Sequence, residues 1–449
     1  MNTPQSSARQ VLDYLTGPAA GQVVTLAFPA GVDNWQVLGT HVRPGGAVSV
    51  TYRVRQVLPG SGATNAVPAA ATLETTLVVS TEKIPRGRAQ AFRFTLPSTV
   101  ANAPATPVHA YWWIYPNDPQ LPGLPAVADV QNLRHVLAHS EHPKAREIAT
   151  QLTQTRAVVY RPTRRAVVCG QGTQGPLAWV KVASPQRVKQ LARTLGVLAE
   201  SAVPVPRVLA YPSADTIVQE HGHGFPLSRL ISSKPHVTAN MFHQIRDLLD
   251  ALPAGVNALP ERDSWTQRRA HYGQAMVALL PDLEPQVRAL LSVIEARLVA
   301  NQPRVPVHGD LFEANLLTDG AAITTLLDLD TMGPGLRADD YACLLAHVSV
   351  LPFLTPSRWV EAAVTEPWRS RLNQFLPHRR CPDYSESETV LEAWRLRAER
   401  ECIPADLYAR CAAVTLSLAS STSLKYGEEE ARARFRRAQW WAQLATEYA

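Results

Sequence analysis

The chain has 449 residues, of which 46% are apolar and 18% charged, and its formal net charge is +6. This composition is ordinary for a soluble globular protein, and the length predicts several domains with a sizeable core. No run of roughly 18 apolar residues offers a membrane span and no signal-peptide core follows Met1, so we expect a cytoplasmic protein without a membrane partner.

The basic and cysteine residues agree with this expectation. The basic residues are dispersed through R-P-T-R-R, P-H-R-R and R-F-R-R rather than gathered on one face, so no nucleic-acid partner is expected. The five cysteines include no C-x-x-C pair, which favours reduced thiols.

The first region of the chain has the pattern of antiparallel strands, beginning at about Val23 and ending near Pro116. The predicted strands are 48–58, 73–84, 91–96 and 109–115. Linkers rich in proline and glycine separate them, and a helix at 127–139 follows. The aromatic run Tyr111, Trp112, Trp113 and Tyr115 fits either a carbohydrate platform or packing against a neighbouring layer, and we favour packing.

A second set of strands follows a predicted helix at 143–153. The predicted strands are 156–160, 166–169, 177–182, 203–209 and 216–220, with a helix at 185–201. Lys181 lies in the third of these strands. The turn between the first two is R-P-T-R-R and contains no G-x-G-x-x-G. His221 and His223 sit in H-G-H-G-F, where a hinge turn is a better interpretation than a metal site.

The remainder of the chain has mainly helical periodicity, with breaks expected near Pro352, Pro367 and Pro382. This helical pattern is interrupted at Val307 by V-H-G-D-L-F-E-A-N-L-L, a turn, and T-T-L-L-D-L-D. Such a polar cluster between apolar runs predicts a catalytic loop hung between two short strands. Its order fits phosphoryl transfer: one carboxylate accepts the hydrogen bond of an attacking hydroxyl, while an amide oxygen and a second carboxylate hold magnesium against nucleotide phosphates.

At H-G-D-L-F-E-A-N and L-L-D-L-D the chain resembles the aminoglycoside phosphotransferase and choline kinase superfamily, whose members share the protein-kinase fold. The resemblance implies that Asp310 is the catalytic base and that Asn315 and Asp328 are magnesium ligands. It implies that His308 braces the loop and that Asp340, in D-D-Y-A, steadies the loop from behind. Leu329 stands where the family usually has tryptophan or phenylalanine.

The same resemblance implies a nucleotide site for ATP. Lys181 falls at the position of the nucleotide lysine, Gln190 is an uncharged candidate for its helix partner, and backbone groups from Glu220 through His221 to Gly222 would bind adenine. Arg161, Arg164 and Arg165 would either grip phosphates or form an exposed basic hairpin, and the two readings stay open. For the acceptor pocket the candidates are Asp383, Glu386, Glu388, Glu392 and Trp394, although a solvated acidic surface is the better default.

We therefore expect an α+β protein with a bilobal protein-kinase-like fold and an amino-terminal β-rich cap. The predicted domains are a cap at 1–145, a small nucleotide lobe at 146–225 and a helical large lobe at 226–449. This arrangement resembles the capped sugar kinases of the maltokinase and glucosamine kinase groups. The expected function is transfer of phosphate from ATP, with Mg²⁺, to a hydroxyl of a small polar metabolite, foremost a sugar or amino sugar, by a monomer or homodimer. The alternatives are an antibiotic kinase acting on aminoglycosides and a nucleotide-binding pseudokinase.

Overall fold

The computed structural model describes residues 4–43, 45–57, 72–85, 87–96, 106–353, 384–421 and 427–448. Within these ranges the chain has the predicted α+β class, with antiparallel sheets in the first half and mostly helices in the second. It divides into two compact units. The first unit consists of Met1–Val188 and Val208–Glu220, and the second of Lys189–Arg207 and His221–Ala449. No helix in the described ranges is both long enough and apolar enough for a membrane span.

The first unit begins with two helices and a five-stranded sheet. These elements are α1 (Pro4–Thr16), α2 (Ala20–Ala27), β1 (Asn34–Val42), β2 (Val48–Val57), β3 (Thr72–Ser80), β4 (Gln90–Leu96) and β5 (Thr106–Ile114). The strands are antiparallel in the order β1-β2-β3-β5-β4. Alternate side chains of β2, from Val48 to Val54, are fully buried and share a core with α1 and α2. The period-2 pattern of β2 therefore supplies this core.

A second antiparallel sheet completes the first unit. The elements here are α3 (Pro125–Ala128), α4 (Val130–Ala138), α5 (Pro143–Gln151), β6 (Gln154–Arg161), β7 (Arg165–Gly172), β8 (Gly175–Ala183), α6 (Pro185–Leu198), β9 (Val208–Ser213) and β10 (Thr216–Glu220). The strand order is β6-β7-β8-β10-β9. Val168, Val180 and Val218 project from three adjacent strands into a core shared with α3, α4 and α5. One apolar face of this sheet is thereby buried under helices.

Aromatic side chains join the two sheets of the first unit. Trp113 of β5 is buried, and its indole N–H donates to the Tyr160 hydroxyl of β6 over 2.9 Å. The Tyr115 ring meets the Tyr160 ring edge-on at 5.1 Å. Tyr111 and Trp112 are partly buried against apolar cores. The packing interpretation of this aromatic run is therefore confirmed.

The second unit is mainly helical. Its helices after α6 are α7 (Leu227–Ser233), α8 (Pro235–Ala239), α9 (Phe242–Asp250), α10 (Arg269–Leu279), α11 (Glu284–Arg297), α12 (Arg337–Val350), α13 (Ser387–Ala398), α14 (Pro404–Ser420) and α15 (Glu428–Glu447). Single 3-10 turns lie at Ala254–Ala258, Pro281–Leu283, Glu313–Asn315, Leu329–Thr331 and Leu351–Phe353. Most residues of α12 and α14 are buried, so these two helices form the centre of the unit.

Five short strands of the second unit hold the central polar segment. They are β11 (Phe225–Pro226), β12 (Val305–Val307), β13 (Leu316–Thr318), β14 (Ile323–Leu326) and β15 (Gly333–Gly335). β11, β13 and β14 form one antiparallel sheet, and β12 pairs with β15. The loop from His308 to Asn315 therefore runs between two short strands, β12 and β13, as the sequence predicted.

Several predicted elements were wrong in extent; the strand expected at 73–84 ends at Ser80 and the helix expected at 185–201 ends at Leu198. Val23 lies in helix α2 rather than in a strand, and β1 was not predicted. The strand expected at 203–209 begins only at Val208, because Pro204 and Pro206 have no N–H for a ladder. The helix expected at 127–139 is two helices, broken at Asp129, whose carboxylate caps α4 by accepting from two backbone N–H groups. The breaks expected at Pro367 and Pro382 lie outside the described residues.

The predicted domains at 1–145, 146–225 and 226–449 stay predictions. The two compact units of the structure meet in sequence at Val188, at Val208 and after Glu220. Both β-sheets of the amino-terminal half belong to one compact unit. A separate cap ending at residue 145 stays a prediction.

Candidate active site

The centre of the site is the loop from His308 to Asn315 in the second unit. It leaves β12 and enters β13, whose residues Leu316 and Leu317 are buried. The β13–β14 hairpin then returns the chain, and Leu327 N–H donates to the Asn315 carbonyl over 2.8 Å. The end of the H-G-D-L-F-E-A-N motif and the start of the L-L-D-L-D motif are thus hydrogen-bonded neighbours.

Asp340 holds the beginning of this loop from the first turn of α12. Its two carboxylate oxygens accept from the backbone N–H groups of His308 and Gly309, each over 2.8 Å. Asp340 is fully buried. Burial raises the pKa of Asp340, while nearby His308 and the two backbone donors act in the opposite direction by favouring the carboxylate. The bracing role implied for Asp340 fits this geometry.

Gly309 adopts a conformation that the loop requires. Its φ is +80°, and a Cβ there would lie 2.7 Å from the Thr331 carbonyl oxygen. The Thr331 hydroxyl in turn donates to the His308 carbonyl over 3.0 Å. Only glycine allows this close approach of the two polar segments at a positive φ.

The His308 ring links the same two segments. Its Nε2 lies 2.8 Å from the Leu327 carbonyl oxygen, and its Nδ1 lies 3.3 Å from the Asp310 backbone nitrogen. Because a carbonyl oxygen can only accept, Nε2 carries the hydrogen in the contact with Leu327. His308 thereby ties Asp310 to the residue before Asp328.

The Asp310 side chain lies in a partly buried polar pocket. Burial raises the pKa of Asp310; His308 lowers it, the nearby Asp328 carboxylate raises it, and a hydrogen bond from Trp265 lowers it. The Cys343 sulfur is 3.9 Å from one of its oxygens. Burial also raises the pKa of the Cys343 thiol, which therefore remains a donor to the carboxylate.

Asn315 and Asp328 complete the cluster. The Asn315 amide nitrogen donates to the Asp310 carbonyl over 3.0 Å, so its amide oxygen is the side-chain atom that can serve a cation. Asp328 has φ 55° and ψ 56°, a left-handed conformation that aspartate tolerates better than most residues. Around these residues the structure offers an amide oxygen and two carboxylates, a set of hard oxygen donors.

This donor set fits Mg²⁺ rather than a transition metal. Among the described residues no three His, Cys, Asp or Glu side chains gather into a metal cluster. Mg²⁺ needs no such cage, because it keeps several waters and uses one or two carboxylates together with substrate phosphates. Asn315 and Asp328 meet that requirement.

The residues predicted to bind nucleotide are divided between the two units. Lys181, Arg161, Arg164, Arg165 and Glu220 belong to the first unit, and Gln190, His221 and Gly222 to the second. Lys181 is half-buried in β8, with Val167 and Ile217 opposite it on the neighbouring strands.

The arginine turn between β6 and β7 is held by residues of the first sheet and its following loop. Thr163, with φ 64°, donates its backbone N–H to Asp118 over 2.8 Å and its hydroxyl to Glu82 over 2.6 Å. Glu82 also accepts from Arg164 over 2.9 Å, and Arg43 donates to the Pro162 carbonyl over 2.6 Å. Arg164 is therefore committed to a protein carboxylate, while Arg161 is exposed and Arg165 half-buried.

Gln190 has a different partner from the one implied. Its side-chain oxygen accepts from Arg262 over 2.6 Å within the second unit. Its amide nitrogen is buried and makes no hydrogen bond to any residue that the structure describes. Pairing of Gln190 with Lys181 stays a prediction.

The H-G-H-G segment packs on the β13–β14 hairpin. A Cβ on Gly222 would lie 2.8 Å from the Leu317 side chain. The His223 carbonyl accepts from the hydroxyls of Thr324 and Thr325, over 2.5 and 3.1 Å. Burial lowers the pKa of His221, and neighbouring His223 adds to this effect. These contacts make the segment a fixed connection to the hairpin that carries the catalytic loop.

Three of the proposed acceptor residues already have other roles in the structure: Trp394 in the core, Glu388 and Glu392 in ion pairs. Trp394 is fully buried, packs near Phe242 and donates its indole N–H to the Thr238 carbonyl over 3.1 Å, so it is not a face for a sugar ring. Glu392 pairs with Arg395 over 2.6 Å, and Glu388 with Arg437. Glu386 is exposed, and Asp383 lies outside the described residues.

Sequence reasoning missed the residues around Asp310 that come from elsewhere in the chain. Trp265 donates a hydrogen bond to its carboxylate. The Trp265 ring stacks with Tyr272 at 6.0 Å, and the Arg268 guanidinium lies 4.6 Å from the Trp265 ring. The only sequence signal was the density of aromatic and basic residues in W-T-Q-R-R-A-H-Y, which does not indicate a partner more than 40 positions away.

Comparison with known proteins places these residues in an enzyme class. Residues 171–367 match a family described as the phosphotransferase enzyme family. The match covers less than half of the chain and contains Lys181, His308, Asp310, Asn315, Asp328 and Asp340. At the level of enzyme class, the prediction of a phosphotransferase is confirmed for this segment. No curated protein sequence matches the chain.

Particular solved structures are similar at low identity. The aminoglycoside phosphotransferase APH(2'')-Ib bound to ADP is 10% identical, covering 68% of this chain and 99% of its own, with a TM-score of 0.41. A thermostable mutant of the aminoglycoside phosphotransferase APH(4)-Ia is 14% identical, covering 65% and 94%, with a TM-score of 0.44. A choline/ethanolamine kinase family protein from Mesorhizobium loti is 14% identical, covering 71% and 98%, with a TM-score of 0.42. At these values we draw no conclusion about function from them.

Proposed function

We propose that the chain is an ATP- and Mg²⁺-dependent phosphotransferase that phosphorylates a hydroxyl of a sugar or amino sugar. The observation that supports it is the arrangement around Asp310. A loop braced at two backbone N–H groups presents this carboxylate next to an amide oxygen and a second carboxylate. Phosphoryl transfer needs this combination of a positioned acceptor for a proton and hard ligands for a cation.

Each residue of the cluster has a distinct part in the proposal. Asp310 accepts the hydrogen bond of the attacking hydroxyl and takes its proton as the hydroxyl oxygen bonds to the γ-phosphorus and the β,γ-bridging oxygen leaves with ADP. Trp265 and the Cys343 thiol donate to the same carboxylate and orient it. Asp340 and His308 keep the loop in place. Most of the rate then comes from positioning and charge neutralisation rather than from covalent chemistry of the protein.

Asn315 and Asp328 are proposed to hold Mg²⁺, which when bound would neutralise charge on the nucleotide phosphates. Lys181 is proposed to contact the α and β phosphates, as the resemblance implies. Because Arg164 is already paired with Glu82, Arg161 and Arg165 are the better candidates in the arginine turn. The grouping with capped maltokinases and glucosamine kinases also belongs to this proposal.

The test is acceptor-dependent ADP release by the full chain with ATP and Mg²⁺. The panel should contain neutral sugars, amino sugars and aminoglycosides. Asp310→Asn should cut turnover roughly a thousandfold, about 4 kcal/mol of barrier, while nucleotide binding measured by thermal shift changes little. Asp319→Asn is the matched control, since Asp319 is an exposed carboxylate that caps the nearby β13–β14 turn. Its turnover should stay near that of the unaltered chain.

Three results would contradict the proposal. Full turnover by a folded Asp310→Asn variant would remove Asp310 from its role. Nucleotide binding without ADP release for any acceptor would favour the pseudokinase. Release with aminoglycosides alone would instead make the chain an antibiotic kinase.

A further inference from the structure

A cavity of about 790 Å³ lies beside the catalytic loop within the second unit. Its walls come from the segments 262–269, 298–302 and 333–336, and Gly309 and Thr331 reach it from the catalytic segment. Its volume lies in the range of small-molecule sites, which is about 300–1,000 Å³. Asp310 is not part of the cavity wall. Trp265 is part of the wall, and it donates a hydrogen bond to the Asp310 carboxylate.

The charged residues of this cavity are mostly cationic. Five arginines and three carboxylates line it: Arg262, Arg268, Arg269, Arg304, Arg410, Asp263, Glu295 and Asp339. Glu295 is paired with Arg269, and Asp339 with Arg410 over 2.9 Å. Arg304 pairs with Glu261, outside the wall, over 2.6 Å. Arg268 therefore differs from Arg269, Arg304 and Arg410, each of which is already paired with a carboxylate.

Arg268 is the cation best placed to take a ligand. It is exposed, and within the described part of the chain it makes no ion pair. Its guanidinium lies 4.6 Å from the Trp265 ring and 5.8 Å from the Tyr272 ring, and its Nε approaches the Ser264 carbonyl at 3.4 Å. Stacking covers the face of a guanidinium and leaves the N–H groups in its plane for a carboxylate or phosphate.

We propose that this cavity binds a small molecule that carries a carboxylate or phosphate group. Arg268 grips the anionic group in a fork, and the Trp265 ring supports the rest of the molecule. Through the Trp265 hydrogen bond, the ligand lies one side chain away from the Asp310 carboxylate. The anionic group belongs either to the acceptor, in which case this inference rests on the proposed function, or to a separate effector.

Calorimetric titration of the full chain tests binding without any need for turnover. The probes are glucose 6-phosphate, glucuronate and inorganic phosphate, with glucose as the uncharged match. At least one of the two anionic sugars should bind more tightly than glucose, and Arg268→Gln should weaken that binding roughly 10- to 100-fold. Arg268→Lys should restore it only in part, because an ammonium lacks the planar fork.

Arg288→Gln is the matched control. Arg288 is an exposed arginine on α11 that pairs with Glu284, and it does not line the cavity. Its replacement should leave the affinity unchanged. Equal weakening by Arg268→Gln and Arg288→Gln, or no heat of binding for either anionic sugar at millimolar concentration, would overturn the proposal.

Turnover then separates the two sources of the anion. If the anionic sugar is the acceptor, it should be phosphorylated with release of ADP, and Arg268→Gln should raise its KM with little change in kcat. If it is an effector, it should bind unphosphorylated and change ADP release with a neutral acceptor. Binding that persists in Asp310→Asn, with no turnover by the unaltered chain, would support the cavity and count against the proposed function.

Discussion

Replacing Asp340 by asparagine tests how the catalytic loop is held. Asp340 accepts one N–H at each carboxylate oxygen, from His308 and from Gly309. Asparagine keeps one acceptor and places an amide N–H₂ at the other position. One of the two buried backbone donors then faces another donor, while the side-chain volume is almost unchanged.

The size of the effect follows from that lost contact. Leaving one buried donor without a partner costs about 1–3 kcal/mol, and the remaining hydrogen bond loses its charge assistance. If about 2 kcal/mol of this is spent in moving the loop away from its aligned conformation, kcat falls by roughly 30-fold. The Lys181 region is untouched, so we expect nucleotide affinity to change less than twofold.

The assay is ADP release at saturating acceptor, with nucleotide affinity from thermal shift and folding from circular dichroism. Asp339→Asn is the control one position away. Asp339 accepts from Thr266 over 2.8 Å and from Arg410 over 2.9 Å, so its loss should affect stability rather than the loop. A folded Asp340→Asn variant with unaltered kcat, or an equal fall in kcat for Asp339→Asn, would refute the bracing argument.

Three further changes give measurable results. Gly309→Ala should lower kcat strongly and destabilise the fold by about 1–3 kcal/mol, because its Cβ would lie 2.7 Å from a carbonyl oxygen. The control in urea unfolding is Gly31→Ala, since Gly31 also has a positive φ but has open space around it. Asp118→Asn should lower the free energy of unfolding by about 2–4 kcal/mol, since the Asp118 carboxylate accepts hydrogen bonds from Tyr160, Thr163 and Gln120. The control is Asp129→Asn, which should change this free energy little because asparagine caps a helix N-terminus as well as aspartate does. His347→Phe should gain stability over the unaltered chain only as pH falls below about 6.5. Burial lowers the pKa of His347 to about 3, so the unfolded chain takes up the proton first, and urea unfolding at several pH values measures the difference.

The position of the polar loop between short strands could be predicted from sequence because its contacts are local, while its catalytic role stays a prediction. The spacing of Asp310, Asn315 and Asp328 spans one loop and one hairpin, and apolar runs mark the strands on each side. The brace from Asp340 lies within the same 40-residue segment. Residues this close in sequence leave few ways to arrange the hydrogen bonds, so the pattern itself restricts the geometry.

The partners that come from distant segments could not be predicted. Trp394 stands among glutamates on α13, and only its packing near Phe242 shows that it belongs to the core. Gln190 is a plausible partner for a lysine by position, but Arg262 reaches it from a loop 72 residues away. Helix α1 was missed because its first residues carry no recognisable start signal beyond Pro4, and its burial depends on β2.

The charge of the cavity beside Trp265 bears on the choice between a metabolic and an antibiotic acceptor. An aminoglycoside carries several ammonium groups, and each would need a carboxylate or carbonyl partner near the loop. Two of the three carboxylates in this wall are already paired with Arg269 and Arg410, and the acidic residues Glu388 and Glu392 of α13 are paired with arginines as well. A polycation would have to break these pairs or accept repulsion from Arg268, whereas a neutral or anionic sugar requires neither. Asp263 is the remaining carboxylate of the wall and could meet only one ammonium group. This shortage of carboxylates supports the proposed sugar acceptor over an aminoglycoside, whereas the catalytic loop is compatible with both.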